Sequence, residues 1–217
     1  SNPPFSIKWE GDANPLLIND PRFSPAGILA PKNYADFAFV MHILSWLSTT
    51  GTAAIVAYPG ILTRSNNKGE PKIRKYLIDN NYIDAIIQLP PDLFFGTTID
   101  TCIFVLKKSK TDNQVLFIDG SEEFIRGVNK NTLSRDNRTK IINTFKNRKG
   151  VDSFAKLISN KTISENKYNI AVSTYLKNGK TPPVIDISKL NETILQTTIK
   201  QKNSRDTLLK RLNSIDD

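Results

Sequence analysis

Asn2-Pro3-Pro4-Phe5 is the stretch whose residue types and order could do chemistry. An Asn side-chain oxygen and a neighbouring backbone carbonyl are two hydrogen-bond acceptors, and the prolines stiffen the turn so that both can meet at one donor. Two acceptors on one exocyclic amine, such as adenine N6, draw it toward tetrahedral geometry and free a lone pair otherwise delocalised into the ring. Phe5 adds a flat face for a base that must leave its duplex before that amine can be reached. Methylation of such an amine needs no general base of displaced pKa and no metal. The plain alternative is a simple turn, since Asn-Pro often opens one.

The other chemistry-bearing residues form no constellation. His42, the only histidine, falls inside an apolar helical pattern and reads as a packed helix residue. Asp84 interrupts an apolar run, where a carboxylate is expected to turn toward a loop or pair with a nearby lysine. Cys102 is the single cysteine, so no intrachain disulfide or cysteine zinc cluster exists, and a reducing, cytoplasmic setting is expected. Trp46 has core spacing and reads as structural; Trp9 comes soon enough after the tetrapeptide to lie near a substrate.

Several elements must position the tetrapeptide. After a Pro- and Asn-rich irregular stretch, Phe37, Val40, Met41, Leu44 and Leu47 recur at helical spacing, with Phe39, Ile43 and Trp46 widening the apolar face. Thr52–Tyr58 and Tyr82–Leu89 are apolar runs closed by prolines, as for strands covered on both faces, with a helix at about Pro71–Asn80 between them. This helix–strand rhythm predicts an α/β fold with a parallel sheet. Thr101–Lys107 and Gln114–Asp119, joined by the polar turn Ser109–Asn113, read as an antiparallel hairpin at the sheet's edge. Further on, Thr139–Phe145 reads as a helix, Tyr168–Tyr175 as extended and Gly179–Pro183 as a linker. A helix capped by Ser188 is expected to run toward Ile215, with Ile187, Leu190, Ile194, Leu208, Leu212 and Ile215 along a seam that Thr197, Gln201 and Ser204 make polar in the middle.

The expected organisation is therefore three parts: residues 1–120, a basic extension 121–178, and a linker with a terminal helix, 179–217. The net charge of +9 lies wholly after residue 119: residues 1–119 carry 11 Lys/Arg and 11 Asp/Glu, residues 120–217 carry 19 and 10. Arg126, Lys130, Arg135, Arg138 and Lys140, then Lys146, Arg148 and Lys149, concentrate that surplus against Asp136 alone. Such a run suits contact with DNA phosphates, and equally a solvated basic surface. No apolar stretch reaches the roughly 20 residues of a membrane span, and no basic-then-apolar secretory pattern opens the chain.

The blocks SNPPFSIKWEGD, SPAGILAPKNYADFAFVMHILSWL, GTAAIVAYPGILTR, KIRKYLIDNNYIDAIIQLPPDLFFGTTIDTCIFVLKK, VLFID and NKYNIAVSTYL occur between Ser1 and Lys177. In order and spacing they resemble the modification subunit of type I restriction-modification systems. The resemblance implies the C-terminal half of a Rossmann-like methyltransferase sheet and methyl transfer from S-adenosylmethionine to adenine N6 in DNA. It also implies assembly with a specificity subunit, a second modification subunit and a restriction subunit. It places Asn2, Pro3, Pro4 and Phe5 in the catalytic motif and makes Leu89–Thr97 a loop receiving the flipped base, with Phe94 or Phe95 on its second face. The family's glycine-rich cofactor loop and acidic ribose-binding residue stand well before the tetrapeptide. No Gly-x-Gly occurs in these 217 residues, so the cofactor site is expected upstream and the chain by itself is expected to be inactive. Two rival readings stay open at this point: a non-catalytic assembly or DNA-binding module, and a methyltransferase of RNA or protein amides.

Overall fold

The computed structural model describes residues 1–95, 98–176 and 187–213, with backbone alone for Asp12, Lys189 and residues 209–213. Two compact units are present, Ser1–Asn178 and Gly179–Asp217. Along the first run α1 (Pro15–Ile18), α2 (Asp36–Trp46), β1 (Thr52–Ala57), α3 (Gly69–Asp79), β2 (Ile83–Gln88), β3 (Cys102–Lys107) and β4 (Gln114–Asp119). Next come a short hairpin, β5 (Ile125–Arg126) with β6 (Asn131–Thr132), then α4 (Arg135–Asn147), β7 (Ala155–Ser159), α5 (Asn160–Glu165) and α6 (Val172–Tyr175).

The main sheet has the order β1-β3-β2-β4-β7. β2 and β4 are parallel, whereas β3 runs against both β1 and β2, and β7 against β4. β1, β2 and β4 thus share one direction, and their carboxyl ends lie along one edge. Alternation along the strands sorts the core. Ile55, Phe104, Ile86 and Phe117 stand in one row across four strands and belong to the larger cluster, with Phe37, Met41 and Leu44 of α2 and Ile73 and Leu77 of α3. Val105, Ala85 and Leu116 point the other way, into a second cluster with Ile141 of α4 and Phe154. Helices thus cover both faces, as expected of an α/β fold.

Four expectations need correction. The hairpin does not form: β3 has β1 and β2 on its two sides, and β4 pairs with the far side of β2. The Ser109–Asn113 connection instead passes the start of β2, where the Lys110 ammonium donates to Ile83 O (2.7 Å), Gln114 O (2.6 Å) and Asn81 Oδ1 (2.9 Å). β1 is covered unevenly: Ile55 and Ala57 are buried, whereas Thr52 and Ala54 at its start are exposed. Trp46 is 79% exposed, since it closes the last turn of α2 beyond the reach of the sheet. Tyr168–Tyr175 is not extended; it turns through Lys167 and Tyr168 at positive φ and ends in α6.

Other boundaries fell short of the elements. The helix expected at Thr139–Phe145 spans Arg135–Asn147, because the Ser134 hydroxyl and the Asn137 side chain form a capping box one turn earlier. β7 had no sequence signal. In the second unit α7 (Ile187–Asn213) contains Ser188 as a helical residue rather than a cap. Ile187, Leu190, Ile194 and Leu208 are exposed on it, as are Thr197, Gln201 and Ser204. The expected linker and Ile215 lie outside the described residues. Among the described residues no helix is long and apolar enough to cross a membrane.

Candidate functional site

The tetrapeptide leaves the carboxyl edge of the sheet. Ser1 N donates to Ala54 O (2.8 Å) and Val56 N donates to Ser1 O (2.9 Å), the bonding pattern of a parallel bridge to β1. Asn2 therefore continues in the direction in which β1 ends. Asn2 and Pro4 are exposed, Pro3 and Phe5 half-buried. Among the described residues nothing donates to the Asn2 side chain or to the Pro3 and Pro4 carbonyls, so these acceptors stay available.

The backbone just beyond the motif is held firmly. Ser6 sits at φ +49°, and its N–H donates to Asp36 Oδ1 (2.9 Å), with its hydroxyl 3.4 Å from Oδ2. Asp36 opens α2, where a carboxylate is favoured by the helix dipole, and is only 7% exposed. Ala35 N donates to Ile7 O (2.9 Å), so the motif is tied to the start of α2 at successive points. Trp9 donates its indole N–H to Pro31 O (3.0 Å) and packs on Phe23, which makes it an anchor of this strap. His42 lies between Phe23 and Trp46 in the same aromatic row.

The loop after β2 leaves the same edge of the sheet, one strand away from β1. Pro90 and Pro91 end the strand, Leu93 packs into the second core cluster, Phe94 is half-buried and Phe95 is 91% exposed. Gly96 and Thr97 lie outside the described residues. Asp92, at φ +58°, is held by the β5–β6 hairpin: Asn131 N donates to Asp92 O (3.0 Å), Asn131 Nδ2 to Pro91 O (3.0 Å), and Lys130 forms an ion pair with the Asp92 carboxylate. The same edge carries a cleft of about 480 Å³ lined by Pro59, Thr63, Gln88, Asp100, Asp119 and Ser121, among others. Sequence reasoning missed this cleft. Its signal was the carboxyl ends of the parallel strands β2 and β4, where α/β sheets place their ligands. Asp119 accepts from the Ser121 N–H (3.0 Å) and hydroxyl (2.6 Å), shaping the turn. Gly120 N donates to Gln88 O (2.9 Å), an approach that a Cβ at 2.8 Å from that oxygen would prevent. Carboxylates with neutral amides and hydroxyls suit an uncharged polar ring and disfavour phosphate.

A buried charge cluster supports the strap from below. Arg74 is 2% exposed and spends its guanidinium on three carbonyls, Ile61 O (2.9 Å), Arg64 O (2.9 Å) and Tyr168 O (3.0 Å); burial lowers its pKa to about 10. Burial raises the pKa of the Glu70 carboxyl, partly offset by Asn67 and by Arg64, which it meets at 2.8 Å. Arg64 also reaches toward Asp36 (3.9 Å) and lies over the Tyr34 ring.

The basic residues divide into two groups. Lys130 pairs with Asp92, Lys140 with Glu123, and Arg148 with Asp84 (2.7 Å) and Asp112 (3.3 Å). Asp84 is 5% exposed and falls where the β2–β3 register slips, so its partner is an arginine from α4's end rather than the nearby lysine expected. Arg126, Arg135 and Arg138 are exposed. Burial raises the Cys102 thiol to about 12, leaving it an unreactive core group. Among the described residues no cluster of three His, Cys, Asp or Glu could hold a metal ion.

The acceptor-bearing turn continues from the bridge to β1, while the loop with Phe94 and Phe95 and the polar cleft lie at the ends of β2 and β4; none of Asn2–Phe5, Phe94 or Phe95 lines the cleft. Residues 1–182 match the family described as N-6 DNA Methylase, and the chain belongs to that family. It is 46% identical over 206 residues to the type I restriction enzyme MpnII methylase subunit of Mycoplasma pneumoniae, covering 94% of this chain and 38% of that protein. The MjaVIII methylase subunit of Methanocaldococcus jannaschii is 33% identical over 199 residues, 88% of this chain and 34% of its own length. In solved structures, the methyltransferase subunit of a type I restriction-modification system from Streptococcus thermophilus superposes with a TM-score of 0.77. It is 44% identical, over 81% of this chain and 37% of that one. The chain thus spans little more than a third of the length of these relatives.

Proposed function

We propose that this chain is the target-base half of a DNA adenine-N6 methyltransferase acting within a type I restriction-modification complex. The observation that carries the reading is the pairing of available acceptors on Asn2 and the two prolines with the locked Ser6–Asp36 joint directly behind them. Preorganised acceptors stabilise developing positive charge on the amine without reorganising during reaction. Asn2 and a proline carbonyl orient N6 and polarise its N–H bonds. Phe5 supplies one face for the ring, and Phe94 or Phe95 the other.

S-adenosylmethionine, which the family implies, would supply an electrophilic methyl group. The described residues offer no glycine-rich turn for its adenosine, so we assign its site to residues outside this stretch. Arg126, Arg135 and Arg138 are candidates for phosphate contact, and α7 for the specificity subunit, within a cytoplasmic complex that includes a second modification subunit and a restriction subunit.

The test is Asn2→Ala in the full-length subunit, assembled with its partners. Methyl transfer should fall about a hundredfold or more with DNA affinity nearly unchanged. Phe5→Ala should weaken capture of the target base by roughly 1–3 kcal/mol. Near-normal turnover in Asn2→Ala would remove the mechanism.

A further inference from the structure

The loop bearing Phe94 and Phe95 is not left to choose its own conformation. Asp92 stands at a φ that residues with a Cβ rarely adopt, and its carbonyl, its carboxylate and the preceding Pro91 carbonyl are each taken by the β5–β6 hairpin. The hairpin in turn stands on a fixed base. Glu123, just before it, accepts from the Asn137 side chain (3.0 Å) and pairs with Lys140, both on α4. The Ser134 cap of α4 comes two residues after β6. Ile141 of α4 packs beside Gly120, whose N–H meets the carbonyl of Gln88 at the end of β2. Loop and hairpin are therefore anchored to the same strand end by separate routes.

We propose that Asn131, together with Lys130 on Asp92, is a positioning residue: the β5–β6 hairpin clasps the Pro91–Asp92 turn so that Phe94 and Phe95 are presented, already ordered, to an adenine leaving its duplex. This rests on the reading of Phe94 or Phe95 as the second face that receives the base. The entropy of ordering the loop is lost when the protein folds, so base capture does not bear it. The clasp thus governs how readily a paired adenine is captured, and leaves the reactivity of a captured one alone. Asn131 is uncharged, which separates its effect from attraction to phosphates.

The experiment uses the full-length methylase assembled with its specificity subunit and carrying Asn131→Ala. Methylation is measured below saturation on two duplexes, one with the target adenine paired to thymine and one with it opposite an abasic site, where extrusion costs little. The rate should fall about tenfold on the paired duplex and less than about threefold on the abasic one, with the salt dependence of binding unchanged. An equal loss on both duplexes, or none on either, overturns the clasp. A Phe94→Ala/Phe95→Ala variant separates the two ideas. Full activity of that variant on the paired duplex would sink the base-receiving reading. A crippled double-phenylalanine variant beside an unaffected Asn131→Ala sinks the clasp alone.

Discussion

Asp36 Oδ1 accepts the backbone N–H of Ser6 at 2.9 Å, joining the residue after the tetrapeptide to the first turn of α2. Asp36→Ala removes the acceptor and leaves a positive-φ serine without its partner. Turnover of the assembled subunit should fall at least about tenfold, and stability by about 1–3 kcal/mol, as for other buried groups that lose a charged partner. Kinetics alongside a denaturant titration check both. An unaffected kcat would mean that the motif holds its own shape.

The basic residues should separate by experiment as they do by geometry. Neutralising Arg126, Arg135 and Arg138 together should weaken binding to specific and random duplexes alike and shallow the log-affinity against log-salt slope by up to about 0.9 per lost phosphate contact. Arg148→Ala should act on folding instead, costing about 2 kcal/mol because Asp84 is left buried without its charged hydrogen bond. An unchanged salt slope in the triple variant would assign those arginines to a solvated face.

Glu70 ties stability to pH. Its folded-state pKa is raised by burial, so below the usual 4.5 it is protonated in both states and carries no penalty. As pH climbs through the raised folded value, the unfolded chain has already ionised and the native state loses relative stability. Melting curves should show Glu70→Gln gaining on the parent protein as the pH rises above the usual 4.5. A gap moving the other way would mean that the Arg64 ion pair outweighs desolvation.

For α7, removal of residues 181–217 should leave the melting temperature of the remaining subunit nearly unchanged while abolishing co-purification with the specificity subunit. An exposed apolar stripe of this kind is stabilised by a partner more than by its own propensity. Unfolding of the truncated protein, or full retention of the partner, would contradict that assignment.

The sequence showed the elements far better than their partners. Gln114–Asp119 was legible residue for residue, and the runs around β1, β2 and β3 to within one or two residues, because β-branched and apolar residues between prolines and polar turns leave little else to form. Pairing was not legible: two strands joined by a short polar turn look like a hairpin, and only the occupied sides of β3 and the three bonds of Lys110 send β4 past β2. The tetrapeptide was readable as a candidate from residue type and order, and Phe94 or Phe95 only through the family resemblance. Asp36, Asn131 and Gln88 were not, since their roles arise from contacts between residues far apart in the chain. The ion pairs of Lys130 with Asp92 and of Lys140 with Glu123 were unreadable for the same reason: nothing local announces either carboxylate.

The insertion of β3 between β1 and β2 bears on how the chain is made. Thr52–Ala57 and Ile83–Gln88 precede Cys102–Lys107 in the chain, share no ladder with each other and are joined to one another only once that strand has left the ribosome. Each thus waits for the strand between them while the intervening residues are still being added, the interval in which an unpaired strand edge is prone to wrong partners. The late strand then acts as a keystone, and a substitution that weakens it should lower the yield of soluble nascent protein more than its effect on the finished fold would indicate.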